Sequence, residues 1–576
     1  MTTGSRSHRL RAAKSAFWGV AALALLLAAV ARAAEPLWIE GVVRGNPTLI
    51  FTDGEAVALQ VDLFNPVEEE QAVEGAFYLA DYYGEERVLQ EFARDFEEYG
   101  FLRVDLPVVP ERRGIFRVVA RYVVDGVLHV EEDVAAFAVV PPLDSATVPE
   151  TSPFGLITRL SHTDVLRAKK LGVKWVRLHD FSTDTWWHNV QPRPDQWIVN
   201  EGAIRQALEA GIEILGTLGA APPWAYGPVE GTPPFYGPYP PNDWQDYVSY
   251  AERIMAHFKG RIKVWQVWNE PNHEGYWLGS PEEYAHMVRL TAEAARRVDP
   301  EIRILAGGSI PATVRHLNWL ERTFRAGMLE YADIIGIHGG SWEPLAGDAY
   351  RPGRAEVSDL AETLRAMMRR WGEEKPIWND EATMWARTII GSLDYGNDRY
   401  TPQDGAIELV RMYLDAIEAG VEKIFYYFAG SFPKDLPTGR FHPGPDFHQS
   451  LLEYNGWPSV KVPAYAGMTW FLSDAAFVER VYTNGGAVEM NLFQSRADET
   501  RLVAVVWTAY GPHYDGEFRV SLAGAPAVSL KAFDIMSNPV SLENGTLVVT
   551  ASPVYLEISG VSAEAWIDWW ARITPR

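Results

Sequence analysis

The 576-residue chain contains no cysteine. That excludes disulfides, a thiol nucleophile, thiolate metal centres and a lipid-anchored cysteine together, so stability outside the cytoplasm has to come from core burial. Histidine is scarce at 13 residues. Neither a His-x-His pair nor a helical His-Glu-x-x-His occurs, which leaves a metal hydrolase without ligands at recognisable spacing, and His442 and His448 read as loop histidines beside Gly444 and Pro445. No Gly-x-Ser-x-Gly elbow supports a serine esterase. Basic side chains are outnumbered, 52 to 76, for a formal charge of −24. Such a surface repels nucleic acid and anionic membranes, and it disfavours a strongly anionic polysaccharide unless a local basic pocket overrides the mean field. Internal repeats and low-complexity segments are also missing.

What is present begins with a processing signal. Arg6, Arg9, Arg11 and Lys14 precede an apolar run from Ala16 to Val30, and Ala31-Arg32-Ala33 puts small residues where a signal peptidase reads them. The run falls short of the roughly 20 residues needed to span a bilayer. Residues 1–33 are therefore expected to be a cleavable signal peptide of a secreted or periplasmic protein, with an uncleaved membrane anchor as the alternative. Cleavage removes five basic and no acidic side chains, moving −24 to −29. The remainder, rich in apolar residues (47%) and with 22% charged, has the composition of a folded protein too long for one core.

Three grammars follow one another. From 37 to 142 short alternating runs, such as Val57, Leu59, Val61 and Leu63, are separated by turns like Asp125-Gly126, which predicts an Ig-like β-sandwich. Residues 141–149 read as a linker. From 150 to 475 apolar strand-like runs alternate with amphipathic helices: Phe154–Leu160, Val173–Leu178, Ile212–Leu218, Ile262–Trp268, Ile302–Ala306, Ile334–His338, Pro376–Trp378 and Val421–Phe428. Gly172 and Gly211 stop helices ahead of strands two and three, and Ser280-Pro281-Glu282-Glu283 is a capping box. Eight strand–helix units predict a central (β/α)8 TIM barrel. An open doubly wound sheet is the alternative, but no glycine-rich phosphate loop follows the first strand. Period two returns over 476–560, with Asn544-Gly545 as a hairpin turn, predicting a C-terminal β-sandwich, and 561–576 is a tail whose Trp566, Ile567, Trp569, Trp570 and Ile573 suggest a short docking helix.

The chemistry concentrates at two strand ends. Trp265-Gln266-Val267-Trp268-Asn269-Glu270-Pro271-Asn272 is a buried strand that ends on a carboxylate beside a side-chain amide, with Pro271 stopping the ladder. Pro376-Ile377-Trp378-Asn379-Asp380-Glu381-Ala382 supplies a second acidic end. In a TIM barrel strand C-termini form the active face, so Glu270 on strand four and Glu381 on strand seven can meet across a sugar. Two such carboxylates among aromatic residues are the equipment for glycosidic cleavage. Asp380 adjoins Glu381, and strand alternation would point the two to opposite sides.

Trp268-Asn269-Glu270-Pro271-Asn272 resembles the acid/base motif of glycoside hydrolase clan A, retaining glycosidases on (β/α)8 barrels, and is nearest in flavour to family 39 and its relatives. Pro153-Phe154-Gly155, Trp175-Val176-Arg177-Leu178-His179, Leu218–Ala225, Ile335-Gly336-Ile337-His338 and Leu451–Gly456 are similar to further parts of that barrel. The resemblance implies Glu270 as general acid/base and Glu381 as nucleophile, with Arg177 holding Glu381 ionised, Asn269 on the sugar 2-hydroxyl and His338 supporting the nucleophile or its neighbouring hydrogen bonds. It also implies a substrate-binding set that includes His179, Tyr427, Trp224 and Trp277. Tyr427 stands where the clan often carries a platform Trp, and Asp380 where it has a small or hydroxyl residue.

In a retaining arrangement the carboxyls lie roughly 5 Å apart. At an effective dielectric near 20 two charges at that distance repel by about 3 kcal/mol, roughly two pKa units. One therefore stays ionised while the other holds a proton. The expected activity is that of a secreted O-glycosyl hydrolase acting on β-linked oligo- or polysaccharide, without cofactor or metal. No nucleic-acid partner is expected, and no membrane once the signal is cleaved. A carbohydrate-binding barrel without turnover and a transglycosylase on the same fold are the alternatives.

Overall fold

The computed structural model describes residues 35–179, 182–228, 237–309, 314–339, 354–382, 402–427, 450–453, 455–511 and 514–573. The signal segment, His442 and His448 lie outside these residues. Two compact units are present, one of residues 1–45, 56–109 and 116–136, the other of 46–55, 110–115 and 137–576.

In the first unit Trp38–Arg44, Val57–Phe64 and Phe101–Val108 form an antiparallel three-stranded sheet. Gln71–Asp81, Glu86–Phe96, Gly114–Val124 and Val127–Val140 belong to a second sheet. The strict alternation of buried and exposed residues along Phe101–Val108 is what a half-buried strand requires. Asp125 and Gly126 both have positive φ (49° and 83°), the left-handed pair that a two-residue hairpin needs.

The second unit is built on a closed barrel of eight parallel strands. In chain order these are β1 (Phe154–Ile157), β2 (Trp175–Arg177), β3 (Glu213–Leu218), β4 (Val264–Val267), β5 (Arg303–Ser309), β6 (Ile334–Ile337), β7 (Ile377–Ala382) and β8 (Val421–Tyr427), and β8 pairs with β1 to close the ring. All eight were legible as apolar runs, because a strand covered on both faces has no polar side to interrupt it. Ile157, Trp175, Leu215, Val264, Leu305, Ile334, Trp378 and Phe425 pack together as a buried core cluster, with Tyr427 against it. The helix Pro281–Val298 between β4 and β5 opens on the expected capping box, with Ser280 and Glu283 each accepting from the other's backbone N–H.

After the barrel comes a six-stranded sheet ordered Ala475–Thr483, Val488–Ser495, Arg501–Thr508, Val554–Ser559, Ser529–Phe533 and Pro539–Val540, plus a separate pair, Phe518–Ser521 with Thr546–Val549. Asn544 and Gly545 do turn with positive φ, but only the bridge between Glu543 and Thr546 closes there. The arms of that turn join different sheets. The tail forms a helix, Ala563–Trp570, with Trp566 and Trp570 fully buried in the core of this sheet. Among the described residues no helix is long and apolar enough to cross a membrane.

Candidate active site

The site is assembled where β2, β4, β6 and β7 end. Beyond β4 the chain leaves the ladder sharply: Trp268 and Glu270 both adopt left-handed backbone, at φ 64° and 42°. Such conformations cost a non-glycine residue on the order of 1 kcal/mol or more and need fixing from outside. Here the Trp268 N–H donates to Leu218 O on β3 (2.6 Å) and the Glu270 N–H to Gly308 O on β5 (3.0 Å). The Trp268 indole N–H adds a bond to Tyr276 O at 2.7 Å. The neighbouring strands thus hold Glu270 at a defined place.

Arg177, at the end of β2, has no exposed side-chain surface. A buried guanidinium is tolerable only when fully paired, and its donors are distributed. Nε donates to Gln266 Oε1 (2.7 Å), Nη1 to Glu381 Oε2 (2.9 Å) and Nη2 to Asn269 Oδ1 (2.5 Å). One cation therefore ties the end of β4 to the end of β7. Asn269 is left with its buried Nδ2 lacking a hydrogen-bond partner among the described residues.

His338, just after β6, lies between three carboxylates. Its Nδ1 is 2.8 Å from Glu270 Oε1 and 3.7 Å from Glu381 Oε2, and its Nε2 is 3.2 Å from Asp380 Oδ2. Burial works against charging the ring, but the charges of Glu381 and Asp380 and the bonds to Asp380 and Glu270 outweigh it, pushing its pKa up to about 10. Both ring nitrogens then carry protons and donate. His179 is the reverse case. Burial first, then the charges of Arg177 and His338, hold it well below the ordinary imidazole value, so it stays neutral 3.6 Å from Glu381 Oε2.

Asp380 does not point away from the site. Strand alternation fails here because the β7–β8 ladder slips: Asn379 pairs with Ile424 but Ala382 with Tyr426, three residues against two. The extra residue is a β-bulge, and it returns Glu381 to the side of Asp380. Both carboxylates approach Arg177, Asp380 Oδ2 at 3.5 Å from Nε. Asp380 is completely buried, whereas the side chains of Glu270 and Glu381 keep 12% and 16% of their surface. Of these three carboxylates, among the described residues, that pair alone keeps exposed surface.

The aromatic set divides. Trp224 follows β3, half-buried, its indole N–H bonded to Gln191 O and its ring edge-on to Trp187. Tyr427 ends β8, half-buried on the barrel core. Trp277 is only 3% exposed, packed edge-on against Trp268 and Tyr284. Expected as a subsite wall, it instead backs the Trp268 turn, since the ring is enclosed by aromatic neighbours. Gln266 was not singled out as a site residue; its signal was an amide inside an otherwise apolar strand.

Oxygen or nitrogen atoms of Glu270, His338 and Glu381 lie within 4.8 Å of one another, the spacing of a cation site. As the trio stands, both His338 nitrogens already face carboxylate oxygens, Nδ1 that of Glu270 and Nε2 that of Asp380.

A stability consequence follows from His338. Its folded pKa lies above the ordinary value of 6.5, so its contribution is fully present below about pH 6.5 and is lost as pH rises through about 10. Burial pushes Lys423 and Lys461 down to about 8 and about 7, and these titrate nearby with opposite sign. Denaturant unfolding of wild type and His338→Gln should therefore be compared as a difference, which is expected to shrink between pH 7 and 10. A difference that does not change with pH would mean the ring is not charged.

No protein-family model matches the sequence. Two curated β-xylosidases match locally. The one from Caldicellulosiruptor saccharolyticus is 34% identical over 82 residues, 13% of this chain and 16% of that protein. The one from Geobacillus stearothermophilus is 30% identical over 82 residues, 12% and 16% of the two chains. The aligned stretch thus spans about a sixth of each relative. A family 39 glycoside hydrolase from the gut symbiont Bacteroides cellulosilyticus WH2 superposes with TM-score 0.63 over 90% of this chain and 100% of its own, at 19% identity. The fold is that of a family 39 glycoside hydrolase.

Proposed function

We propose that the chain is a retaining glycoside hydrolase that cleaves β-linked glycosides by double displacement. The observation that carries this reading is the closeness of Glu270 and Glu381, one carboxylate oxygen of each lying within 4.8 Å of the other. Retaining enzymes hold their carboxyls about 5–5.5 Å apart, whereas inverting ones need roughly 6.5–9.5 Å to admit a water. The local matches to β-xylosidases favour a β-linkage.

The two carboxylates are held by different partners, which divides the labour. Glu381, bonded to Arg177, is the nucleophile: its oxygen attacks the anomeric carbon as the glycosidic C–O bond breaks. Glu270 gives its proton to the leaving oxygen. The glycosyl ester formed on Glu381 is then cleaved by water, whose proton returns to Glu270. Asn269, with Oδ1 held by Arg177 and Nδ2 unpaired, is oriented to donate to a sugar hydroxyl. The sheets that precede and follow the barrel in the chain are read as β-sandwich domains, and the leader as the signal of a secreted enzyme.

Trapping tests the scheme. A 2-deoxy-2-fluoro β-glycoside with an activated leaving group should inactivate the enzyme and add one sugar mass to the peptide carrying Glu381. Product of inverted anomeric configuration in the proton NMR spectrum, with no adduct, would refute it.

A further inference from the structure

A polar chain runs inward from Glu270. His338 donates from Nδ1 to Glu270 and from Nε2 to Asp380 Oδ2, which also accepts from Gln266 Nε2 at 2.7 Å. The geometry points to Asp380 as a positioning residue that acts through His338, fixing the ring so that an N–H always faces Glu270 and keeping its positive charge where Glu270 releases and recovers a proton. This rests on Glu270 being the acid/base group of the proposed reaction.

Asp380 is an expensive residue to place there. A fully buried carboxylate costs several kcal/mol unless its partners compensate, and its Oδ1 has no hydrogen-bond partner among the described residues. The fold also makes room for it. A Cβ on Gly336 would sit 2.5 Å from Asp380 Oδ1, and one on Gly308 would sit 2.4 Å from the Gln266 amide that binds Asp380. Glycine at both positions therefore leaves the space this carboxylate and its partner occupy. A neutral side chain would fill that space at lower cost but could not hold an imidazolium.

Among the described residues, the charged and titratable groups facing His338 are Glu270 beyond β4, Asp380 and Glu381 on β7, and His179 at β2, with Arg177 paired to both β7 carboxylates. Of the carboxylates, Glu270 changes charge during the reaction and Glu381 loses its charge when it carries the sugar. Asp380, completely buried behind the ring, exchanges neither a proton nor a sugar in either half. When Glu270 transfers its proton to the leaving oxygen, the carboxylate that forms accepts a charge-assisted bond from Nδ1, stronger than the one its neutral form accepts. The support is thus greatest where protonation of the leaving group is most demanding.

Asp380→Asn separates this role from simple packing. In histidine-labelled protein, NMR titration should show the His338 ring falling from about 10 toward the ordinary 6.5. Turnover of a glycoside with a poor alkyl leaving group should fall about tenfold to a hundredfold, while an activated dinitrophenyl glycoside should lose less than about threefold, because it needs no proton. His338→Gln, which leaves Asp380 in place, should show the same selectivity and serves if Asp380→Asn does not fold. Equal losses on both substrates, or an unmoved ring titration, overturn the inference. A ring that shifts as expected in a protein hydrolysing no glycoside would support the hold of Asp380 on His338 and refute the hydrolase reading instead.

Discussion

Glu381→Gln is expected to lower kcat/KM by about a thousandfold or more, equivalent to at least ~4 kcal/mol of transition-state stabilisation. The amide oxygen can still accept from Arg177 Nη1, the bond now 2.9 Å long, so the substitution is nearly isosteric. What disappears is the charge that attacks the anomeric carbon. Folding should survive, because Arg177 keeps Gln266, Asn269 and the nearby Asp380 as partners. Binding of an unreactive substrate analogue, followed by calorimetry, should weaken by no more than about tenfold, since the lost interaction belongs to the transition state. Steady-state kinetics on a dinitrophenyl glycoside give the decisive readout, because that substrate needs no acid catalysis and isolates nucleophilic attack. Turnover within tenfold of wild type would remove Glu381 from the reaction.

That this experiment could be framed from the sequence reflects what barrel strands record locally. Each of the eight is a short apolar run bounded by helix-stopping residues: Gly172 and Gly211 take φ of 65° and 80°, and Ser280 caps the helix after β4. Strand ends on one face of the barrel follow from the order of the elements alone, so the sequence by itself assigns Arg177, Asn269, Glu270, His338 and Glu381 to one mouth. The sidedness of Asp380 could not. It depends on a ladder slip between β7 and β8, and a bulge is a property of two strands some forty residues apart, while alternation is read from one. Trp277 is a similar case. Its indole is hidden by Trp268 and Tyr284, and a sequence gives the size of a ring but not which neighbours close over it. The Asn544-Gly545 turn also formed as its dipeptide dictates, but the partners of its arms were set by the sheets around them.

Glu270→Ala should produce a defect that a small anion repairs. Removing the carboxyl takes away both the proton donor of the first half-reaction and the base of the second, a combined loss of about 10²–10⁴-fold on a substrate with a poor leaving group. On a dinitrophenyl glycoside the first half proceeds unaided, so the glycosyl ester on Glu381 accumulates and a burst of dinitrophenol precedes slow turnover. Azide reverses the slow phase because it attacks without surrendering a proton. The truncated side chain leaves space directly beside His338, whose ring keeps Asp380 at 3.2 Å and Glu381 at 3.7 Å and carries positive charge. An anion is therefore drawn to the position from which the ester is attacked. The rate should rise at least about tenfold in azide, and the product should be a glycosyl azide of the substrate's own β configuration. Glu381→Ala provides the opposite sign. There azide would replace the nucleophile itself, enter from the α face, and yield the α-glycosyl azide. The two variants thus assign the two carboxylates by stereochemistry rather than by rate. The same anomer from both, or no rescue of Glu270→Ala at any azide concentration, would show that Glu270 does not serve the second half-reaction.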